Sequence, residues 1–327
     1  MKNGNIRLNM LRIGAVPRRL RGCAIVFVML CATHVAAQDL APEPKTPEAK
    51  PQLQLTAGEL VQQAVAHEVA ASNDPVKHLF RSRKQTPNGS QTRLYVQTDD
   101  AMAGMLIAAN DQPLTAEQDQ AEDGHLQWLM DNPDQLHKKH AREKEDADRT
   151  LRIIKALPDA FVYEYAGATP GNDLVGKTGE PLVRLHFTPN PSYSPPSKEE
   201  EALTGMEGYV LVDPKAQRLA RIDGTLFKDV NFGWGFLGHL DKGGHLRIQQ
   251  AEADDHTWVI TEMSLNFTGR ILLFKSLHQV SDEVLSDFRA VPSDLTFTRG
   301  VEMLKAERAK VARPAAATPS QLAASPQ

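Results

Sequence analysis

His67 and Glu68, in the stretch "HEVAA", form the first half of the H-E-x-x-H motif, in which two histidines on one helix face bind zinc. Ala71 stands at the position where the second histidine is required. The stretch therefore lacks a zinc ligand, and we interpret it as the polar side of an amphipathic helix.

A second candidate metal site is the pair His137 and His140 in "HKKH". Their spacing would place both rings on one face of a helix, with Glu143 one turn further along. Two lysines and an arginine in the same stretch would repel a bound cation. We therefore expect no metal here.

The stretch "SDEVLSDFR" supplies three carboxylates, those of Asp282, Glu283 and Asp287. Carboxylate spacing alone is weak support for acid–base catalysis, and we expect an exposed connection. The sequence holds no G-x-S-x-G nucleophile motif and no G-x-x-x-x-G-K-[ST] phosphate loop. We therefore expect no enzyme and no cofactor. A hydrolase would need acids and histidines distant in sequence to converge in one cleft.

The N-terminal stretch predicts export. Residues 1–22 carry six basic residues and no acid, and the apolar run "CAIVFVMLCA" and then "THVAAQ" follow. A basic region, an apolar run too short to span a bilayer and small residues before a cut are typical of a secretory signal peptide. We predict a signal peptide over 1–37 and a periplasmic mature chain. Both cysteines, Cys23 and Cys31, lie within it, so the mature chain would be cysteine-free.

Charge and composition limit the partners. Removal of the six basic residues lowers the formal net charge from −4 to −10. Nucleic-acid binding depends on clustered Lys and Arg that neutralise phosphates, so a nucleic-acid partner is not expected. No later apolar run reaches the length of a membrane span, so we expect no integral membrane segment after signal cleavage.

Composition also predicts the domain boundaries. Residues 38–54 are rich in Pro, Glu and Lys and cannot bury enough apolar surface to offset the ordering entropy, so we predict a disordered linker. Residues 309–327 are similarly predicted to form a disordered tail. The interval 55–308 fits a single domain.

The first half of this domain alternates helical and extended patterns. A helix is predicted over 56–72, opened by a Thr cap, and Asn88-Gly89 indicates a hairpin turn. A helical region over 115–157 is interrupted by Pro133, and its charged part, 136–150, is typical of a solvated helix face.

The last third of the sequence predicts consecutive hairpins. "GYVLVDPKAQRLARIDGTLF" contains two extended patterns around an Asp-Pro-Lys turn, and Val259, Thr261, Met263, Leu265 and Phe267 share one strand face. A half-polar sheet of this size must curl or be covered. We predict an α+β fold, in which a curved antiparallel half-barrel of roughly eight to ten strands is covered by helices on its concave side.

This pattern resembles a known superfamily. The stretch from "GYVLVDPKAQRLARIDG" to "TEMSLNFTGRILLF", within about residues 205–290, resembles the closing hairpins of the lipoprotein-carrier half-barrels of the outer-membrane lipoprotein-sorting type. The resemblance is one of hydrophobic spacing and matches no signature residue. It implies a secreted sheet that folds around helices and holds acyl chains.

The stretch "NFGWGFLGHLDKGG" places large rings among five glycines. In an extended segment Phe232, Trp234 and Phe236 would project on one side, with the glycines on the other. The rings would then fill the core at a barrel corner, line the mouth of an apolar cavity, or form a patch for a partner protein. The residues chosen as candidate cavity lining or mouth are Phe227, Phe232, Trp234, Phe236, Leu237 and Trp258.

These observations favour a non-enzymatic exported protein that binds a lipophilic ligand or a lipidated protein in a cavity between sheet and helices. The expected partners are a lipid or an acylated protein. The alternative is a cell-envelope interaction or assembly module without a small-molecule ligand, whose partners would be envelope proteins.

Overall fold

The computed structural model describes residues 55–73, 75–232, 238–253, 256–271 and 275–312. The helices in these ranges are α1 (Ala57–Ala71), α2 (Ala116–Asp131), α3 (Pro133–Ala160), α4 (Lys198–Glu201) and α5 (Phe297–Ala312). The strands are β1 (His78–Thr86), β2 (Gly89–Val96), β3 (Ala103–Ala109), β4 (Gln112–Pro113), β5 (Phe161–Pro170), β6 (Pro181–Pro189), β7 (Met206–Asp213), β8 (Arg218–Leu226), β9 (Val230–Phe232), β10 (Gly238–Leu240), β11 (His245–Glu252), β12 (Trp258–Ile271) and β13 (Lys275–Ala290).

All thirteen strands described belong to one antiparallel sheet that is curved and unclosed. Its main order is β4-β3-β2-β1-β13-β12-β11-β8-β7-β6-β5, and β10 joins β12 and β9 beside this path. The α+β class and the curved antiparallel sheet agree with the sequence prediction. The predicted count of eight to ten strands was too low, because β4, β9 and β10 are only two or three residues long and show no periodicity.

Three runs of sequential strands build the sheet, namely β1–β4, β5–β8 and β11–β13. Long-range pairings join them, since β8 pairs with β11 and β1 pairs with β13. The second pairing brings strands from opposite ends of the described chain together in the middle of the sheet.

Helix α1 packs on the sheet through one apolar face. Thr56 caps it with a complete capping box, in which its side chain accepts a hydrogen bond from the Glu59 amide and Glu59 reaches back to Thr56. Buried α1 residues join the end of α3 and strands β5–β8 in a first core cluster. The α1 residues in that cluster are Ala57, Leu60, Val61, Ala64 and Val65.

A second core cluster lies at the other end of the sheet, where α2 and α5 pack on β2 and β3. Phe297, Val301 and Leu304 of α5 are buried in it. A third, smaller cluster combines Leu182 and Leu211 with Trp258. In the described part of the chain, the principal helix–sheet contacts involve β2, β3, β5, β7 and β8, so β11–β13 are supported mainly by neighbouring strands.

Two features differ from the sequence prediction. Helix α5 was not predicted, although its buried residues follow the i, i+4, i+7 spacing of a helix face. Residues 281–289 are not an exposed connection, because they pair along β13 with both β1 and β12. Within the described ranges, no helix has both the length and the apolar character needed to cross a membrane.

Candidate functional site

A row of half-buried apolar side chains crosses three neighbouring strands. Ile222 of β8 pairs with Ile248 of β11, and Ile248 pairs with Met263 of β12. Directly paired residues share a sheet face. The row lies on the face of the first core cluster, because Val210 of that cluster pairs with Ile222. It therefore extends the core across strands that have few helix contacts.

A second row follows two residues further along the strands. Gly224 pairs with Leu246, and Leu246 pairs with Leu265. Phe267 continues the same face of β12 and packs, half-buried, against the first core cluster. We name this surface the apolar face and define it by Ile222, Leu246, Ile248, Met263, Leu265 and Phe267. All six residues are half-buried.

Polar groups border the apolar face on β13 and β1. Met263 pairs with Glu283, and Glu283 pairs with Lys84. The Ser82 hydroxyl donates a hydrogen bond to one Glu283 carboxylate oxygen at 2.6 Å, and Lys84 Nζ donates to the other at 3.0 Å. Buried Ser281 pairs with Leu265 in the second row. The surface thus changes from apolar to charged within one strand spacing, about 4.8 Å.

The six residues that the sequence suggested as cavity lining or mouth do not form one group among the described residues. Phe232, at the end of β9, is half-buried against the first core cluster. Phe227 is 36% exposed, and the Lys228 ammonium lies 5.5 Å from its ring centroid. Trp258 is buried in the third cluster, together with Leu182 and Leu211. The remaining three, Trp234, Phe236 and Leu237, lie outside the described residues.

The opposite side of the same strands is polar. We name it the polar face and define it by Arg184, Tyr209, Arg221, Asp223, His245, Arg247, Gln249 and Glu262. Asp223 is its most buried acid and accepts hydrogen bonds from Arg247 Nε at 2.7 Å and from Tyr209 at 3.3 Å, while His245 Nε2 lies 3.0 Å away. Burial favours the neutral acid, but hydrogen bonds from Arg247 and His245 outweigh it and hold the pKa of Asp223 below its ordinary value.

A buried ion pair connects α1 to the sheet. The Arg218 guanidinium donates Nε and Nη2 to the two oxygens of Glu68, at 2.8 and 2.9 Å, and the Leu219 amide donates to Glu68 as well. The Arg218 guanidinium carbon also lies 5.5 Å from the Trp258 ring centroid. Glu68 therefore fixes a helix on the sheet, whereas its neighbour His67 is exposed.

The second candidate metal site from the sequence, His137, His140 and Glu143, includes a carboxylate that makes structural contacts. Glu143 accepts hydrogen bonds from the Met102 amide at 2.9 Å and from Lys139 Nζ at 2.5 Å, which ties α3 to the start of β3. Among the residues that the structure describes, no three His, Cys, Asp or Glu side chains gather as a metal site.

Sequence reasoning missed two parts of this region. The stretch "HLRIQQ" alternates apolar and polar residues, a pattern that indicates a strand containing Leu246 and Ile248. The residues that lie beside them in the sheet depend on the pairing of β8 with β11, which the local pattern does not show. Nothing in the sequence near Glu68 indicates its ion-pair partner, because Arg218 lies 150 residues away. Five residues of β12 were predicted to share one face, and the register agrees for Met263, Leu265 and Phe267. For Val259 the prediction was wrong, because an extra residue in β12 at Thr261 shifts the register and Val259 pairs with Ala251.

A scan against protein-family models gave no match for this chain, and no curated protein matches it.

Proposed function

We propose that this chain is a non-enzymatic exported protein that binds a lipophilic ligand or a lipidated protein between the sheet and its helices. The observation that carries the proposal is the apolar face, where six half-buried apolar side chains on three strands continue the first core cluster. The resemblance of residues 205–290 to lipoprotein carriers supports the same ligand class.

Burial of the apolar face would provide the binding energy. Covering about 100 Å² of apolar surface with a hydrocarbon chain contributes roughly 2.5 kcal/mol. The row of Ile222, Ile248 and Met263 offers a hydrocarbon chain contact with three side chains on neighbouring strands. A single acyl chain that covers both rows would therefore gain several kcal/mol before ordering costs.

The polar border favours an amphiphile over a pure hydrocarbon. Glu283 and Lys84 lie one and two strands beyond Met263 in the same row. An amphiphile would place its chain on the apolar face and its polar group beside this ion pair. In this proposal the helices on β5, β7 and β8 form one wall of the half-barrel cavity.

Native mass spectrometry with lipid extraction tests this proposal on the protein recovered from a bacterial periplasm. We expect an adduct that disappears on delipidation and returns when lipid is added. Met263→Gln should weaken adduct retention by at least about tenfold, because it places an amide within the apolar face.

Val284→Gln is the matched control. Val284 is 46% exposed on β13 and pairs with Glu262, which belongs to the polar face. This variant should retain the adduct. A wild-type protein with a clean mass under lipid challenge, or equal loss of the adduct in both variants, would contradict the proposal.

The alternative function, an envelope interaction module, is favoured by one different observation. β5 is an end strand of the sheet, and it exposes Val162 (47%) and Tyr165 (55%). An end strand with apolar side chains is a surface on which another chain can add a strand. A partner captured by wild type, lost with Val162→Lys and kept with Met263→Gln, would favour this function.

A further inference from the structure

Two arginine side chains meet the ring of Tyr209 on the polar face. The Arg184 guanidinium carbon lies 4.2 Å from the ring centroid, and Arg221 Nη1 donates a hydrogen bond to the Tyr209 hydroxyl at 3.2 Å. The three residues come from adjacent strands β6, β7 and β8. Arg184 pairs with Leu211, and Leu211 pairs with Arg221, so both arginines project from the same face.

Neither arginine has a carboxylate partner among the described residues. Arg221 donates Nη2 to the amide oxygen of Gln249, and its Nε is buried with no acceptor. A guanidinium has five N–H donors, so three of those of Arg221 lack a protein acceptor in the part of the chain described. A half-buried cation with unused donors is costly unless another group completes its hydrogen bonds.

The nearby acids have other cationic partners. Asp223 is bound by Arg247 and His245, and it also accepts a hydrogen bond from the Tyr209 hydroxyl at 3.3 Å. Glu262 accepts from Gln249 Nε2, and its other oxygen lies 4.0 Å from Arg247 Nη1. Glu262 therefore reaches Arg221 only through the Gln249 amide. The corner of the polar face around Tyr209 is left with an excess of positive charge.

We propose that Arg184, Tyr209 and Arg221 form a binding site for a phosphate-type oxyanion. Guanidinium groups bind phosphate oxygens with charge-assisted hydrogen bonds, and they tolerate burial better than ammonium groups. Two guanidiniums that approach from β6 and β8 match the tetrahedrally arranged oxygens of a phosphate group better than the coplanar oxygens of a carboxylate. The site lies on the sheet side opposite the apolar face, and it does not depend on the proposed function.

Phosphate chemistry has two sources, a phospholipid headgroup at a membrane surface or a phosphate in solution, and two binding assays distinguish them. One assay titrates the full chain with inorganic phosphate by calorimetry. The other measures co-flotation with phosphatidylcholine vesicles that contain or lack phosphatidylglycerol.

Arg184→Gln is the main variant because Arg184 is exposed and its replacement should not affect folding. Arg142→Gln, on the exposed surface of α3, removes the same charge elsewhere and is the control. We expect Arg184→Gln to weaken binding at least tenfold in the assay in which wild type binds, whereas Arg142→Gln should leave binding within twofold of wild type. Arg221→Lys retains the positive charge but loses the planar guanidinium, which can donate two parallel hydrogen bonds, so it should also weaken binding.

The results of the two binding assays support or contradict the proposed phosphate site as follows. If wild type binds phosphate but does not float with vesicles, the ligand is a phosphate in solution. If it floats only with vesicles that contain phosphatidylglycerol, the ligand is a lipid headgroup. Both assignments require that Arg184→Gln weakens the signal at least tenfold. The proposal fails if wild type binds in neither assay, or if Arg184→Gln and Arg142→Gln behave alike. Circular dichroism melts of every variant ensure that lost binding is not lost folding.

Discussion

At the residue scale, the Glu68–Arg218 pair combines high burial with complete bidentate geometry. The side chains are 1% and 7% exposed, and Glu68 accepts three hydrogen bonds in all. Removing one partner of such a pair leaves a buried charge without compensation, which is more costly than removing both.

Glu68→Ala should lower the free energy of unfolding by about 3–5 kcal/mol. The double variant Glu68→Met/Arg218→Met replaces both charges with apolar groups of similar length and should recover most of this loss. Urea unfolding of the two variants and wild type measures the effect. Equal stability of the double and single variants would show that the loss came from packing and not from the unpaired Arg218.

Asp223 makes stability depend on pH in the acid range. Its folded pKa is held below the ordinary value of 3.8, since the hydrogen bonds from Arg247 and His245 outweigh burial. The ionised carboxylate therefore contributes stability above the unfolded pKa, and this contribution is lost as the pH falls through the folded pKa.

Asp223→Asn should be less stable than wild type at about pH 6, and the difference should shrink as the pH is lowered to about 3. The stability difference is measured by urea unfolding across this range. Asp148→Asn, at an exposed position on α3, is the surface comparison. The hydrogen bond from Lys144 lowers the pKa of Asp148 as well, but solvent screens this pair, so the variant should depend less on pH. A gap between Asp223→Asn and wild type that stays constant with pH would contradict the assignment.

At the element scale, the predictable parts were those whose signals are local. The Thr56 capping box, the turn before Gly89 and the break at Pro133 each appear within a few residues of sequence, and the helices and hairpin form there. The strand "SDEVLSDFR" was missed because its charges bind partners on other strands, Ser264 for Asp282 and Lys84 for Glu283. The charged residues of this stretch therefore form cross-strand contacts and do not indicate a loop.

The α1 cap gives a prediction at this scale. Thr56→Ala removes the side-chain acceptor of the Glu59 amide and should destabilise the protein by about 1 kcal/mol. Thr56→Ser keeps the hydroxyl and should stay within a few tenths of wild type. Thermal unfolding of both variants checks this, and equal loss in the two would assign the effect to the lost methyl group.

At the scale of the whole molecule, the candidate sites depend on pairings that sequence alone does not show. The apolar face exists because β11 lies between β8 and β12, and its polar border exists because β13 pairs with β1. Periodicity placed Met263, Leu265 and Phe267 on one face, but neither their neighbours nor the opposite polar face followed from it. Local patterns identify strands, whereas the order of strands depends on distant contacts.

A designed disulfide tests the β1–β13 register. Arg83 pairs with Val284, while Leu285 projects from the other face. In a chain with Cys23→Ser and Cys31→Ser, the variant Arg83→Cys/Val284→Cys should oxidise to one intramolecular disulfide and gain about 2–4 kcal/mol of stability. Arg83→Cys/Leu285→Cys should stay reduced under the same conditions. Mass spectrometry after thiol alkylation distinguishes the two results.

The β1–β13 pairing also affects how the chain folds. Lys84 and Glu283, which form an ion pair across these strands, are 199 residues apart, so the loop they close is long and its closure is entropically slow. A nascent chain that contains β1–β4 keeps one edge of β1 unpaired until β13 has been synthesised. During that interval the edge is open to strands of other molecules, and the last strand to emerge ends this exposure to aggregation.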